Sequence, residues 1–319
     1  HIKNRCPDRR DSENWALDWI QFLPGKRESR RYTGAYVLNQ NDIESSGLFD
    51  DIVAYGGWAM DDHHPAGFEA VKIAKPPTIF HPTPSPYGIP YRSLYSRNIT
   101  NLMFAGRDAS CTHAAMSSSR VMGTGSSMGQ AVGMAAAIAA EKDLLPAEIR
   151  NHIVELQQEL MLVDAYMPGV KQTFIPLVTS ASLTASQGDP EPVRDGISRP
   201  VGDDDHCWIC RKDGWIEYRF QSLSKVSNIT VILDSGLDLQ VALSYHQKDD
   251  QLTAPPHVMP KGFRIDGLVD DKWVELFRTD RNYQRFCRLA VNRALEGLRF
   301  TLDETWGAEE SRLYSFYMD

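Results

Sequence analysis

The stretch GTGSSMGQAVGMAAAIAAE, residues 123–141, decides how the first half of the chain is interpreted. Its first three glycines follow the spacing G-x-G-x-x-x-G, whereas the dinucleotide-binding fingerprint requires G-x-G-x-x-G directly after a strand. The residues before it, SSSRVM, are polar and follow a loop. The stretch therefore does not fit that fingerprint. It predicts one long helix, from about Thr124 to Glu141.

The middle of this predicted helix is rich in small residues. Gly129 and Gly133, together with Ala131, Ala135 and Ala139, predict a face on which another element packs closely. Residues without large side chains allow such a close approach of backbones.

The start of the helix favours an anionic ligand. Gly123 and Gly125 flank Thr124, so the backbone can come close to a bound molecule. The first amides of a helix have no partner within the helix, and the helix dipole adds positive potential there. Ser126 and Ser127 add hydroxyl donors. This end suits a ligand that gains negative charge, and a reduced flavin does so at N1 and the adjacent carbonyl.

The composition excludes several classes of partner. The chain has 319 residues and a formal net charge of −8, so no basic surplus exists to neutralise nucleic acid. No apolar run approaches the roughly 18 residues of a membrane span, so a membrane partner is not expected. Five cysteines are too few for a disulfide scaffold and leave the compartment open.

The pattern of the chain changes near residue 170. The second half contains short runs typical of strands, separated by turn residues, which predicts an antiparallel β-sandwich. We place the domain boundary between residues 1–168 and 169–319. The predicted strands are GWIEYRF (214–220), VSNITVIL (226–233), LQVALSYH (239–246), KWVELFRT (272–279), CRLAV (287–291) and GLRFTL (297–302).

The first half mixes helix, strand and loop signals. Apolar residues at helical spacing predict a helix from Pro146 to Tyr166, and a shorter one from Ser12 to Phe22. Four prolines predict that HPTPSPYGIP, residues 81–90, is an extended loop. The predicted strands are GAYVLNQ (34–40), DDIVAYGGW (50–58) and NITNLMFAG (98–106).

Several ordered motifs of the first half make a family resemblance visible. NLMFAGRDASCTHAAMSSSRVMGTGSSMGQAVGMAAAIA, residues 101–139, resembles the C-terminal flavin-contacting segment of the FAD-dependent oxidoreductase family called FAD-oxidored. That family is distantly related to the fumarate reductase and glutathione reductase flavoproteins. The resemblance extends over ENWALDWIQFLPGKRESRRYTGAYVLNQNDI (13–43), DDIVAYGGWAMDDHHPAG (50–67), YGIPYRSLYSRN (87–98) and PAEIRNHIVELQQEL (146–160).

The resemblance implies an α/β fold and FAD as cofactor. The expected first domain is an incomplete FAD/NAD(P)-binding, Rossmann-like domain with mixed strands of a substrate domain. The family's first strand–GxGxxG–helix unit, which holds the ADP half of FAD, is absent from these residues. We therefore expect this chain alone to bind FAD weakly, with the missing N-terminal FAD-binding segment on a partner fragment or removed.

The resemblance also implies cofactor-binding residues. Gly106, Arg107 and Asp108 end a predicted strand, where related flavoproteins place a polar contact to the ribityl hydroxyls; this role falls to Asp108. Arg107 would pair with the pyrophosphate or a substrate carboxylate, or make an ordinary salt bridge. Arg120 would face substrate or flavin, and the turn Gly123–Gly125 would contact the isoalloxazine.

Four residues are candidates for the catalytic site. His113 lies between flavin-contacting motifs, and its ordinary pKa suits proton transfer coupled to hydride movement. The resemblance points to His63 as an acid or base on the substrate side. Tyr91 and Arg92 follow the proline loop and would present a phenol and a guanidinium to the substrate.

Two clusters suggest a metal site, but only weakly. In MDDHHP, residues 60–65, neighbours on an extended strand point to opposite faces and cannot easily converge on one ion, so we predict no metal. DDDHCWIC, residues 203–210, has one C-x-x-C without a second pair, which favours incidental cysteines over zinc or a redox pair, while a calcium loop is a further alternative.

The second half offers a glycan ligand as an alternative. GWIEYRF loosely resembles a strand of galactose-binding-like sandwiches, so the predicted sandwich is of that type. Sugar platforms are possible among its tryptophans, although most should be core. These are Trp208, Trp215, Trp273 and Trp306.

The leading prediction is a flavin oxidoreductase that transfers hydride between an organic substrate and FAD. The alternatives, both without flavin, are a carbohydrate-binding module and a polysaccharide lyase or hydrolase. The expected substrate is a small molecule or a glycan, and a homo-oligomer is left open.

Overall fold

The computed structural model describes residues 3–23, 30–81, 86–239, 252 and 254–319. The chain divides into two compact units, one through Arg31 and one from Tyr32 to Asp319. Within the described residues, no helix combines the length and the apolarity needed to cross a membrane.

In the first unit, the helical structure is a 3₁₀ turn at Pro7–Arg9. The helix predicted for Ser12–Phe22 is wrong, since that segment has turns and irregular backbone. Trp15 is 74% exposed and Phe22 is 88% exposed. So little apolar burial cannot offset the cost of nucleating a short helix.

The second unit contains all the longer elements. Its α-helices are α1 (Gln40–Glu44), α2 (His113–Ser119), α3 (Met122–Lys142), α4 (Ile153–Met161) and α5 (Pro176–Thr179). Its strands are β1 (Ile52–Gly56), β2 (Met60–His63), β3 (Thr78–His81), β4 (Tyr87–Pro90), β5 (Ser182–Ala185), β6 (Trp208–Arg211), β7 (Trp215–Leu233), β8 (Pro260–Val269), β9 (Lys272–Thr279), β10 (Phe286–Thr305) and β11 (Glu310–Met318).

The first half of this unit is mixed α/β, as predicted. β1 pairs antiparallel with β4, and β2 pairs antiparallel with β3. The long helix α3 packs on β1 through a buried face of Met128, Ala131, Ala135 and Ile138. This face belongs to a hydrophobic core that extends along the chain from Leu38 to Met167.

The predicted small-residue face of α3 is only half correct. Ala131, Ala135 and Ala139 are buried as predicted. Gly129 and Gly133 are exposed, and a Cβ atom at either position would meet no described heavy atom within 4 Å. The prediction of close packing at these two glycines is therefore wrong.

Two predicted strands are replaced by single bridges. GAYVLNQ contributes only the bridges of Gly34 to Ser96 and of Leu38 to Cys111, and NITNLMFAG contributes one bridge, from Met103 to Tyr95. Both strand predictions are wrong because each segment pairs at isolated positions and then turns away.

Two other segments also differ from the predictions. HPTPSPYGIP is not all loop, since β4 occupies its end while residues 82–85 lie outside the described residues. The helix predicted from Pro146 begins as a 3₁₀ helix at Pro146–His152 and becomes α-helical only in α4.

The second half is the predicted antiparallel β-sandwich. Its strand order is β6-β11-β7-β10-β8-β9, with β5 added to β7. One end of the 19-residue strand β7 pairs with β5 and the other with β11. Its partner β10, of 20 residues, has two register shifts where the ladder bends.

Most predicted strands of the sandwich are confirmed, with different lengths. KWVELFRT is β9, whereas GWIEYRF and VSNITVIL join into β7, and CRLAV and GLRFTL join into β10. LQVALSYH lies outside the described residues beyond Leu239. The two hydrophobic cores are separated between Met167 and Val178, and the boundary at 168/169 stays a prediction.

A buried ion cluster joins the two halves. The Asp164 carboxylate, in the loop after α4, contacts Arg285 Nε at 2.8 Å and Arg199 Nη2 at 3.3 Å. The side chain of Asp164 is 11% exposed, that of Arg285 is 14% exposed and that of Arg199 is 16% exposed. Two cations therefore share one anion in a largely water-excluded junction.

We predict that Asp164→Asn lowers the free energy of unfolding by about 3 kcal/mol, because removing one member of a buried ion cluster leaves the other charges unpaired. Asparagine tolerates the left-handed backbone of this position, which has φ of 60°. Urea unfolding followed by circular dichroism measures the change.

The matched control is Glu310→Gln, which removes the partner of Arg211 in an exposed ion pair. This variant should unfold as the unaltered protein does, because exposed pairs contribute little. Equal destabilisation by the two variants would contradict the role given to Asp164.

Candidate functional site

A cavity of about 440 Å³ lies beside the first two turns of α3. This volume falls within the roughly 300–1,000 Å³ typical of small-molecule sites. The helix contributes Gly123, Ser126 and Gln130 to one wall. The lining also includes Tyr166, from the loop after α4, and Arg199, from the second half.

The start of α3 is open, as an anion-binding helix end must be. Val121 at the N-cap makes no side-chain capping bond among the described residues. The first bond into the helix runs from Gly125 N to Val121 O at 2.9 Å, so the amides of Met122, Gly123 and Thr124 precede it. A Cβ at Gly123 would meet no described heavy atom within 4 Å.

The turn Gly106–Asp108 lies against this helix start. Gly106 has φ of 89°, a conformation that favours glycine. A Cβ at Gly125 would lie 3.7 Å from Gly106 Cα, so the turn and the helix approach closely. The backbone carbonyl of Asp108 accepts a hydrogen bond from Tyr32 N at 2.9 Å.

Arg107, in the same turn, is the least satisfied cation near the helix start. Its Nε and Nη2 atoms are buried and have no hydrogen-bond partner among the described residues. A buried guanidinium is costly unless an acceptor satisfies it. The donor set of this turn and the adjacent helix start therefore suits an anionic group.

Helix α2 brings a second pair of candidates onto strand β2. His113 Nε2 and Asp62 Oδ1 share a hydrogen bond at 2.7 Å. Arg120 Nη2 donates to the backbone carbonyl of Asp61 at 2.7 Å and lies 3.7 Å from its carboxylate. His63 is exposed, with Nδ1 3.2 Å from Thr78 Oγ1.

The structure holds Tyr91 and Arg92 away from the cavity. Tyr91 is fully buried and its hydroxyl donates to the carbonyl of Pro146 at 2.7 Å. Burial raises the pKa of this phenol. Arg92 donates from Nε and Nη2 to the Asp51 carboxylate at 2.9 and 3.0 Å.

Sequence reasoning missed the aromatic walls and Arg199. Tyr55 at the end of β1 and Trp58 just after it line the cavity, and the Tyr55 ring meets Tyr166 edge-on at 5.2 Å. The sequence of β1 does not distinguish residues that line the cavity from residues of the core. Arg199 lies in the segment SRPVG, which contains no recognised motif. No local signal predicted these residues.

The described residues contain no cluster of metal-ligating side chains that would support the metal alternatives. Among the described residues, no group of three or more His, Cys, Asp and Glu side chains could hold a metal ion. In the acidic segment, His206 Nδ1 bonds Asp195 Oδ2 at 2.6 Å. Burial raises the pKa of Cys207 to about 11 and that of Cys210 to about 12.

We predict that Cys207 and Cys210 react slowly with iodoacetamide in the native protein at about pH 8, because only the thiolate reacts. For Cys207, a rise from 9.0 to about 11 reduces the thiolate fraction roughly a hundredfold. Raising the pH toward about 11 should therefore speed its reaction. Mass spectrometry of labelled peptides gives the rates.

The same protein unfolded in urea is the reference for this labelling, since unfolding removes the burial. Native Cys207 that reacts as fast as unfolded Cys207 would contradict the inert role and reopen the redox alternative.

Comparisons with known proteins separate the two halves of the chain. Residues 3–160 match the family model described as FAD dependent oxidoreductase. No curated protein matches the chain.

The similar solved structures align with less than half of the chain. Chitosan-binding module 1 of a chitosanase/glucanase from Paenibacillus sp. IK-5 is 14% identical with a TM-score of 0.31, over 44% of this chain and 94% of that one. The family 32 carbohydrate-binding module of NanJ from C. perfringens, solved in complex with galactose, is 8% identical with a TM-score of 0.33, over 44% and 95%.

Proposed function

We propose, on the premise that residues 3–160 belong to the FAD dependent oxidoreductase family, that this chain serves the flavin-dependent oxidation or reduction of a small organic molecule. The observation that carries the proposal is the open start of α3, against which the backbone of the turn packs that also contains the incompletely bonded Arg107. Both features offer positive potential to a negatively charged group, which FAD contains at its pyrophosphate and acquires at its ring on reduction.

The residues at this place fit FAD. The turn Gly106–Asp108 and the helix start Gly123–Gly125 would hold it, with Arg107 neutralising an anionic group. Bound FAD would supply the hydride acceptor or donor. The chain contains no G-x-G-x-x-G loop, so we propose that these residues alone bind FAD weakly.

We assign proton transfer in this proposed reaction to His113. The hydrogen bond between His113 Nε2 and Asp62 fixes the ring, which can then hold or release a proton at that nitrogen. Arg120 fixes β2 through the Asp61 carbonyl and so supports the same pair. Tyr91 and Arg92, engaged by Pro146 and Asp51, have structural roles in this proposal.

Glycan binding by the second half remains the alternative, as a module or as a lyase or hydrolase. The proposed tryptophan platforms are engaged within the sandwich. Trp208 is buried, Arg299 lies over the rings of Trp215 and Trp273, and Trp306 donates to the Asn282 carbonyl at 2.8 Å. We therefore propose no sugar site on these rings.

We predict that Gly123→Val weakens FAD binding roughly tenfold or more, because a branched side chain keeps a ligand from the first helical amides. Gly129→Val is the matched control, since both glycines lie in α3 and are exposed, and a Cβ at either would meet no described heavy atom within 4 Å. Titration of each variant followed by flavin fluorescence gives the affinities.

Equal FAD affinity of these two variants would contradict the placement of the ring at the helix start. An unaltered chain that fails to bind FAD at about 1 mM, where binding is worth only about 4 kcal/mol, would contradict the proposed function.

We predict that Arg107→Gln changes stability and binding in opposite directions. Without FAD, the variant should be more stable by about 1 kcal/mol or more, since a buried unpaired charge is removed. Its FAD affinity should fall. Arg92→Gln, which breaks the contacts to Asp51, should instead lose stability at unchanged FAD affinity. Thermal unfolding with and without FAD separates these outcomes, and a destabilised Arg107→Gln would overturn the assignment.

A further inference from the structure

The cavity beside the helix start is also lined by a cation from the other half of the chain. Arg199 lies in the segment that precedes β6, 76 positions after Gly123, yet both line the same cavity. Its guanidinium carbon stands 4.4 Å from the centroid of the Tyr166 ring. The fold therefore builds this cavity from both halves.

Among the described residues, Arg199 lacks a full set of hydrogen-bond acceptors. Its Nη2 contact to Asp164 is long, at 3.3 Å, and the same carboxylate makes a shorter contact of 2.8 Å to Arg285. Arg199 Nε is buried without a hydrogen-bond partner among the described residues. One anion thus serves two cations, and the weaker of the two contacts belongs to the cation that lines the cavity.

The electrostatics of Arg199 agree with this geometry. Burial lowers the pKa of its guanidinium, the nearby Asp164 opposes that change, and Arg285 adds to it. A second anion beside Arg199 would offset both the burial and the repulsion between the two arginines.

The remaining walls suit the body of an organic molecule. Tyr55, Trp58 and Tyr166 present aromatic rings, and Val53 adds an aliphatic side chain. Ser126 and Gln130 on α3 supply further polar groups to the lining. Such a site, mostly apolar with few polar groups, orients a ligand by its charged end.

We propose that the cavity binds an organic carboxylate, with Arg199 as the residue that recognises the carboxylate and the aromatic walls contacting its apolar body. The inference rests on the proposed function and names the substrate class of the same site. The second half of the chain is then part of the substrate site as well as a separate sandwich. Arg199 is a specificity-determining residue in this proposal, because a planar guanidinium pairs with carboxylates in a fixed geometry.

The test compares benzoate with benzamide, its uncharged counterpart of similar shape, by isothermal titration calorimetry on the full chain. The unaltered protein should bind benzoate at least about tenfold more tightly, the preference that a charge-assisted hydrogen bond supports. Arg199→Gln should abolish this preference while leaving benzamide binding unchanged. Arg211→Gln, which alters an arginine of β6 paired with Glu310, should keep it.

Equal binding of the two ligands by the unaltered protein, or no binding of benzoate, would overturn the proposal. An undiminished preference in Arg199→Gln would overturn it as well. Should that variant fail to fold, as judged by circular dichroism, the preference of the unaltered protein still decides, together with Arg199→Lys, which keeps the charge without the planar guanidinium and should reduce the preference without abolishing it.

A separate FAD titration of the same samples distinguishes the two proposals. Arg199→Gln should bind FAD as the unaltered chain does, since Arg199 is not among the residues assigned to FAD. Failure of the unaltered chain to bind FAD overturns the proposed function, whereas failure to prefer benzoate overturns only the substrate class.

Discussion

The contact of the Asp164 carboxylate with Arg199 and Arg285 is the constraint on which the arrangement of the two halves depends. Asp164 adopts a left-handed backbone, with φ of 60°, immediately after α4. The residues that follow, Ala165 and Tyr166, are thereby held against the cavity. Because ions removed from water are stable only when well paired, loss of these contacts would leave the carboxylate and both guanidinium groups uncompensated.

The sequence predicted those elements whose signal is local and strong. The helix at α3 consists mostly of small and apolar residues and contains no proline, and the strand KWVELFRT is rich in β-branched and aromatic residues; the structure forms both. NITNLMFAG has an equally strand-like composition but pairs at one position only. Whether this segment forms a strand depends on which backbone groups lie beside it, and the tertiary structure determines those neighbours.

The site was predictable to the same extent. The spacing of Gly123 and Gly125 predicted the open start of α3. Glycine has no side chain, so the space it leaves beside the backbone can be recognised from sequence alone. The cavity wall could not be predicted in this way. Arg199 lies over the Tyr166 ring and contacts Asp164, both more than 30 positions earlier in the chain, so this wall is formed by tertiary contacts alone.

Arg107 and Arg199 present the same physical problem. Each is removed from water and has nitrogen atoms that the described part of the chain leaves without an acceptor. A core built only for stability would replace such a cation by an apolar residue or give it a full set of partners, as Arg92 has in Asp51. Retaining two incompletely bonded cations is consistent with anions that complete their hydrogen bonds. The redox cofactor would then be neutralised by the first half of the chain, and its substrate by the second.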